Sequence, residues 1–140
     1  MEGETHYLLQ SRTLDDVVMI SASAGDLVII PPDYGHIAIN PSLDTTLVLG
    51  NIVSTAFKSE YGVYEKYHGA AYYEMSSGTI RKNPFYPVFT PIRYLGASCG
   101  MGTHRICQAP LYHLIGNEDA LSFLNYPEKF LTVFSVLLKG

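Results

Sequence analysis

The sequence predicts a mainly β domain of the sandwich or barrel class. Short runs of β-branched and aliphatic residues recur at roughly eight- to twelve-residue spacing, with turn residues between them. A chain of 140 residues is one domain by length and can bury about 70% of its extended surface in a core. Eleven Tyr, eight Pro and no Trp agree with a β-rich domain.

The N-terminal half contains five predicted strands. Asp15 and Asp16 mark the first turn, residues 21–25 the second, and residues 41–44 the last hairpin. The predicted strands are the segment ending at Gln10, Val17–Ile20, Leu27–Ile30, His36–Asn40 and Thr45–Val53. The chain enters its first strand almost at Met1, so we expect part of the domain to lie upstream.

We take Gly25–Asn40 as the stretch around which the rest of the chain is organised, because there the apolar run Leu27–Ile30 meets a rigid turn. Four aliphatic residues in a row predict a strand buried on both faces, and two prolines end it by removing backbone donors. Beyond the turn, a period of two places His36, Ala38 and Asn40 on one face and two isoleucines on the other. We therefore expect His36 to point into whatever that face encloses.

After residue 53 the regular spacing of short apolar strands is lost. Lys58–Gly69 mixes aromatic, histidine and charged residues, which predicts a surface loop or a short helical turn. Ala70–Met75 and Thr79–Lys82 predict a hairpin, since two Ser and a Gly separate them.

The C-terminal part is predicted to cover the barrel. Residues 83–110 are rich in Pro and Gly, which predicts an extended arm that wraps the barrel instead of building it. Two short helices follow, the first capped by Asn117 and the second opening at Pro127. We assign residues 1–82 to an incomplete barrel, and residues 83–140 to an arm and helices packed on the same domain.

Composition excludes several classes of partner. A net charge of −4 and nine scattered basic residues speak against nucleic acid, which requires a basic face. The longest apolar run, residues 130–138, is far short of the ~20 residues that span a bilayer. Cys99 and Cys107 predict reduced thiols in a cytoplasmic protein, although their C-x7-C spacing would also allow a disulfide.

One motif points to a ligand site. A histidine on a strand is more often structural than a ligand, by roughly three to one. Here, however, the spacing of Gly25, Pro31, His36 and Asn40 resembles the second motif of the cupin superfamily, G-x5-P-x-G-x2-H-x3-N, with Asp33 in place of the inner Gly. The resemblance implies a double-stranded β-helix, or jelly-roll barrel, in which His36 is one of four metal ligands.

The segments on either side of this motif indicate which family of the cupin superfamily the chain resembles. The chain resembles the archaeal cupin-type glucose-6-phosphate isomerases in E-G-E-T-H-Y-L-L-Q, in E-Y-G at residues 60–62, in G-A-A-Y-Y-E, and in the late P-L-Y and F-L-N-Y-P-E-K-F. The resemblance implies a sugar-phosphate substrate and a divalent metal, Fe, Mn, Ni or Zn. It implies that Tyr61 binds substrate, whereas Val53 and Ser59 stand where the family carries an aromatic residue and a His.

The first cupin motif is not in this sequence. Its last Gly aligns with Gly3, so its Glu and its two His would precede Met1. We therefore expect metal binding to be weak or absent in this chain, and isomerase activity to be undetectable. An opened barrel also exposes two strand edges, so we expect a homodimer that covers them.

A second reading is a metal-free cupin that binds a small molecule or a protein partner. The other histidines carry no metal-ligand spacing: His6 is predicted at a rim, on the face opposite Tyr7, and the rest are His68, His104 and His113. Cys99 and His104 could also be a catalytic nucleophile and its base, and we put that at roughly one in twenty. No catalytic residue is resolved from the sequence.

Overall fold

The structure is a computed structural model that describes residues 3–97 and 110–139. It is mainly β, with short helices at the C-terminal end. The strands are β1 (Glu4–Ser11), β2 (Val17–Ser23), β3 (Tyr34–Ile39), β4 (Tyr72–Glu74), β5 (Ile80–Lys82) and β6 (Ile92–Gly96). The helices are α1 (Gly62–Lys66), α2 (Ser122–Asn125) and α3 (Leu131–Leu137), with 3₁₀ turns at Leu111–Leu114 and Pro127–Lys129.

Four strands form one open sheet in the order β3-β1-β2-β6. β1 pairs antiparallel with both β2 and β3, and β6 lies parallel to β2. β4 and β5 form a separate two-stranded hairpin. Within the described residues, β3 and β6 are therefore the two edges of the sheet.

The two faces of this sheet carry different apolar clusters. On the outer face, Leu8, Val17 and Met19 pack with the start of β4 and with Tyr86. On the opposite face, which we call the cleft face, Leu9, Val18 and Ile20 are buried with Leu138. A third cluster joins the C-terminal elements and consists of Leu114, Phe123 and Phe134.

Leu27–Ile30 is not a strand, contrary to the prediction. The segment is half-buried, and no strand pairs with it among the described residues. Its side chains alternate: Val28 and Ile30 pack on the cleft-face cluster, and Leu27 and Ile29 pack on the third cluster. Leu27–Ile30 thus has apolar contacts on both sides, as expected for a buried strand. It is held by side-chain packing and not by backbone hydrogen bonds to a neighbouring strand.

Thr45–Val53 is also not a strand. The segment shows only a single bridge residue, at Val48, and its aliphatic side chains are largely exposed. The predicted wrapping arm is wrong in part, because Ile92–Gly96 builds the sheet as β6. Residues 98–109, with Cys99, His104 and Cys107, lie outside the described residues.

Several other predicted elements are confirmed, but the helix predicted to open at Pro127 is a 3₁₀ turn, Pro127–Lys129, and α3 begins only at Leu131. β1 and β2 form the first hairpin, and β4 and β5 form the later one, with Gly78 at φ 77° in its turn. The helical turn after residue 58 is α1. Asn117 accepts a hydrogen bond from the amide of Ala120 at 3.1 Å, but α2 begins only at Ser122. No helix in the described part of the chain is both long enough and apolar enough for a bilayer.

A polar network ties the sheet to the C-terminus. The Arg93 guanidinium donates to both carboxylate oxygens of Asp16 at 2.8 Å and to the carbonyl oxygen of Leu138 at 2.7 Å. The Tyr34 hydroxyl donates to Asp16 at 2.6 Å. The hydrogen bonds from Arg93 lower the pKa of Asp16. Burial raises the pKa of Tyr34, and its hydrogen bond to Asp16 raises that pKa further. One carboxylate thus links β2 to β3 and β6.

Asp16→Asn should lower the free energy of unfolding at pH 7 by about 1–2 kcal/mol, because it breaks a bidentate pair that is only partly exposed. The Asp16 pKa is lower in the folded state, so its contribution is complete above the ordinary value and is lost as pH falls through the lowered value. Urea titrations at pH 7 and at about pH 3 measure both effects. Asp44→Asn, in an exposed loop, is the control, and equal losses in the two variants would contradict the role of Asp16.

Candidate functional site

A large cleft opens on the cleft face of the sheet. Its volume is about 1640 Å³. β1 and β3 form one side through Tyr7, His36 and Ala38, and residues 25–33 and 47–63 form others. Phe134 and other C-terminal apolar residues complete the lining.

β3 aims His36 into this cleft. His36 pairs with Leu9 and Ala38 pairs with Tyr7, so all four share the cleft face. Ile37, between them, packs on the outer-face cluster. The predicted alternation is therefore confirmed, although His36 remains exposed because the cleft is open.

The surroundings of His36 favour its neutral form. Its ring centroid lies 6.4 Å from that of Tyr7. Desolvation by the protein around it lowers the pKa of His36, even though part of its surface is open to water. A neutral imidazole has a free lone pair, which is the form that binds metal ions. Burial raises the pKa of Tyr7, so its hydroxyl remains a hydrogen-bond donor at neutral pH.

Tyr61 lines the same cleft from the loop that leads into α1. It is the N-cap residue of α1, and 64% of its surface is exposed. The preceding residue, Glu60, accepts a hydrogen bond from Arg12 at 2.8 Å, which joins this loop to the end of β1. That ion pair is exposed and contributes little to stability. The two residues that the family resemblance selected thus line the same cleft.

The two departures from the family pattern also lie in the cleft. Val53 and Ser59 both line it, and Val53 is 69% exposed. An aliphatic and a hydroxyl side chain therefore stand where the family resemblance implied an aromatic ring and an imidazole. The lining of the cleft therefore differs from that pattern at these two positions.

His6 lies outside the cleft. It is on the face opposite Tyr7, as predicted, but it is half-buried against Glu74 instead of lying at a rim. Its Nδ1 is 2.8 Å from one carboxylate oxygen of Glu74, whose side chain is only 6% exposed. The pair fastens β1 to β4. His68 contacts Phe85 edge to face at 4.8 Å, and His113 lies in a 3₁₀ turn.

The sequence analysis missed Tyr7 as a cleft residue. Its alternation with His6 was visible, but which face of β1 meets the cleft depends on the pairing with β3. The register pairs Tyr7 with Ala38, whose small side chain leaves room above the strand. Nothing local in the sequence specifies that partner.

The described residues do not complete a metal site. No three His, Cys, Asp or Glu side chains come together in residues 3–97 and 110–139. Zinc and related ions in proteins take three or four protein ligands, and His36 supplies one. A divalent ion would need further ligands from outside the described part.

Comparison with known proteins gives one match. No curated protein and no solved structure matches the chain. The family model for glucose-6-phosphate isomerase matches residues 1–87, which carry His36, Tyr61 and most of the open sheet. The match covers more than half of the 140 residues. On that ground, this chain belongs to the cupin-type glucose-6-phosphate isomerase family.

Proposed function

We propose that this chain forms the second-motif half of a sugar-phosphate isomerase site that interconverts glucose 6-phosphate and fructose 6-phosphate. The observation that carries the proposal is the placement of His36 and Tyr61 on one cleft, within the segment that matches the family model. The protein would act in the cytoplasm, in glycolysis and gluconeogenesis. The metal-free binding module has no observation of its own in its favour.

The reaction sets the requirements on the site. An aldose–ketose conversion moves a proton between C1 and C2, so it needs a base and a group that stabilises the enediolate oxygens. A divalent ion, when bound, supplies that stabilisation as a Lewis acid. His36 would be one ligand, and the residues described here do not hold the ion by themselves. What they offer is binding and orientation of the sugar phosphate.

Charges and hydroxyls in the cleft suit a sugar phosphate. Lys58 and Lys66 line it and can attract a phosphate dianion, whereas Arg12 is already paired with Glu60. Tyr7 and Tyr61 present hydroxyls that can bond to the sugar. Residues 27–30 give one side of the cleft an apolar wall.

The 140-residue chain should show no detectable isomerisation in a coupled assay with added Mn, Fe, Ni or Zn, because three of the four family ligands are not in its sequence. The same chain preceded by a segment that carries H-x-H and Glu should be active. In that longer chain, His36→Ala should lower kcat/KM at least about 100-fold through loss of a ligand. Robust turnover by the 140 residues alone would overturn this assignment, and an inactive longer chain would favour the binding module.

Tyr61→Phe in the longer, active chain should lower kcat/KM by about 5- to 20-fold, because it removes one hydrogen bond to the substrate. Tyr112→Phe is the matched control, since Tyr112 is 77% exposed and does not line the cleft. Steady-state kinetics of both variants decide the point. Equal kinetics for Tyr61→Phe and the parent would remove Tyr61 from the site.

The chain should be a homodimer in solution, because the edges of β3 and β6, which pair with no other strand within the described residues, favour association. Light scattering at micromolar concentration should give twice the chain mass of 15.5 kDa. A monomeric mass at that concentration would show that the edges are protected in another way.

A further inference from the structure

Gly35 immediately precedes His36 on β3, and its missing side chain makes room for Tyr64. A Cβ at Gly35 would overlap the Tyr64 hydroxyl oxygen and would lie 3.0 Å from Cε2 of the ring. The φ of Gly35 is outside the left-handed region, so space and not backbone conformation requires glycine. The aromatic ring of Tyr64 is therefore seated directly on the backbone of β3.

The ring, not the hydroxyl, makes this contact favourable. Tyr64 packs against the outer-face cluster, which includes Leu8 and Ala70. Its hydroxyl is buried and has no hydrogen-bond partner in the described part of the chain. Burial raises the pKa of Tyr64 to about 12, so the group is neutral. A buried hydroxyl without a partner is unfavourable, so the packing of the ring must compensate for it.

The contact lies behind His36. Gly35 pairs with Gln10 and faces the outer side of β3, while His36 pairs with Leu9 and faces the cleft. Tyr64 belongs to α1, whose N-cap residue is Tyr61. Because β3 is an edge strand, α1 can reach around it. Tyr64 packs on the outer-face cluster and, like Gly35 and Tyr61, also borders the cleft.

We propose that Tyr64 is a positioning residue of the cleft: its ring, seated on Gly35, sets the separation between His36 on β3 and Tyr61 at the start of α1. This inference rests on the proposed function, which makes His36 and Tyr61 the residues of the site. The contact itself can be tested without any activity.

The test uses the 140-residue chain and two substitutions of Tyr64. Tyr64→Phe keeps the ring, and Tyr64→Ala removes it. Ile80→Ala is the matched control, because Ile80 is partly buried against the same cluster and lies on β5. The readouts are the Tm and the NMR side-chain signals of His36 and Tyr61, recorded at about pH 9, where imidazoles are neutral.

Tyr64→Phe should leave both signals in place and the Tm unchanged or slightly higher. Tyr64→Ala and Ile80→Ala should each lower the Tm by about 5 °C or more, and only Tyr64→Ala should move the signals of His36 and Tyr61. If Tyr64→Ala moves them no more than Ile80→Ala does, Tyr64 is a packing residue and the proposal fails.

A double-mutant cycle at Gly35 tests the steric part. Gly35→Ala alone should lower the Tm by about 5 °C or more and should move the His36 signal, since a Cβ collides with the hydroxyl end of the Tyr64 side chain. In the Tyr64→Ala background, the same substitution should have little effect on either readout. Additive losses of Tm would overturn the contact. A confirmed contact in a protein whose longer form is inactive would count against the proposed function and leave the contact intact.

Discussion

The alternation of side chains along β1 is the constraint on which the rest of the structure depends. Leu8 and Leu9 are 1% and 0% exposed, and they lie on opposite faces because successive residues of a strand point to opposite sides. A shift of one residue would move every β1 side chain to the opposite face of the sheet. The same register pairs Leu9 with His36, so the burial of β1 also determines which way the cleft histidine points.

Local patterns predicted the parts of the fold that local forces determine. Val17–Ile20 lies within β2, and the period of two placed His36 on the correct face, because each depends only on neighbouring residues. Whether an apolar run becomes a strand depends on a distant partner. Leu27–Ile30 packs against two apolar clusters and pairs with no strand in the described part of the chain. β6 pairs with β2, although the prolines of its segment suggested an irregular arm.

The candidate site also contains residues that the sequence predicted and one that only the fold reveals. His36 and Tyr61 were identified through spacing that resembles a family motif. Tyr64 was not, because its role arises from the absence of a Cβ at Gly35, a residue more than 25 positions away in the sequence. The turn before β3 takes its left-handed residue at Asp33, with φ 62°, and Gly35 lies inside β3. A glycine used for space cannot be told from a glycine used for a turn until its neighbour is known.

The C-terminal elements add something that the family match over residues 1–87 does not cover. Leu114, Phe123 and Phe134 form the core of the third cluster, which also receives Leu27 and Ile29 from the wall of the cleft. The Ser54 hydroxyl donates to the side-chain oxygen of Asn125, which ties α2 to another wall segment. Because Leu27–Ile30 pairs with no strand in the described part of the chain, side-chain packing on the cleft-face cluster and on this third cluster holds it in place. The shape of the cleft on that side therefore depends on residues 110–138, and so would any preference among sugar phosphates that the shape confers.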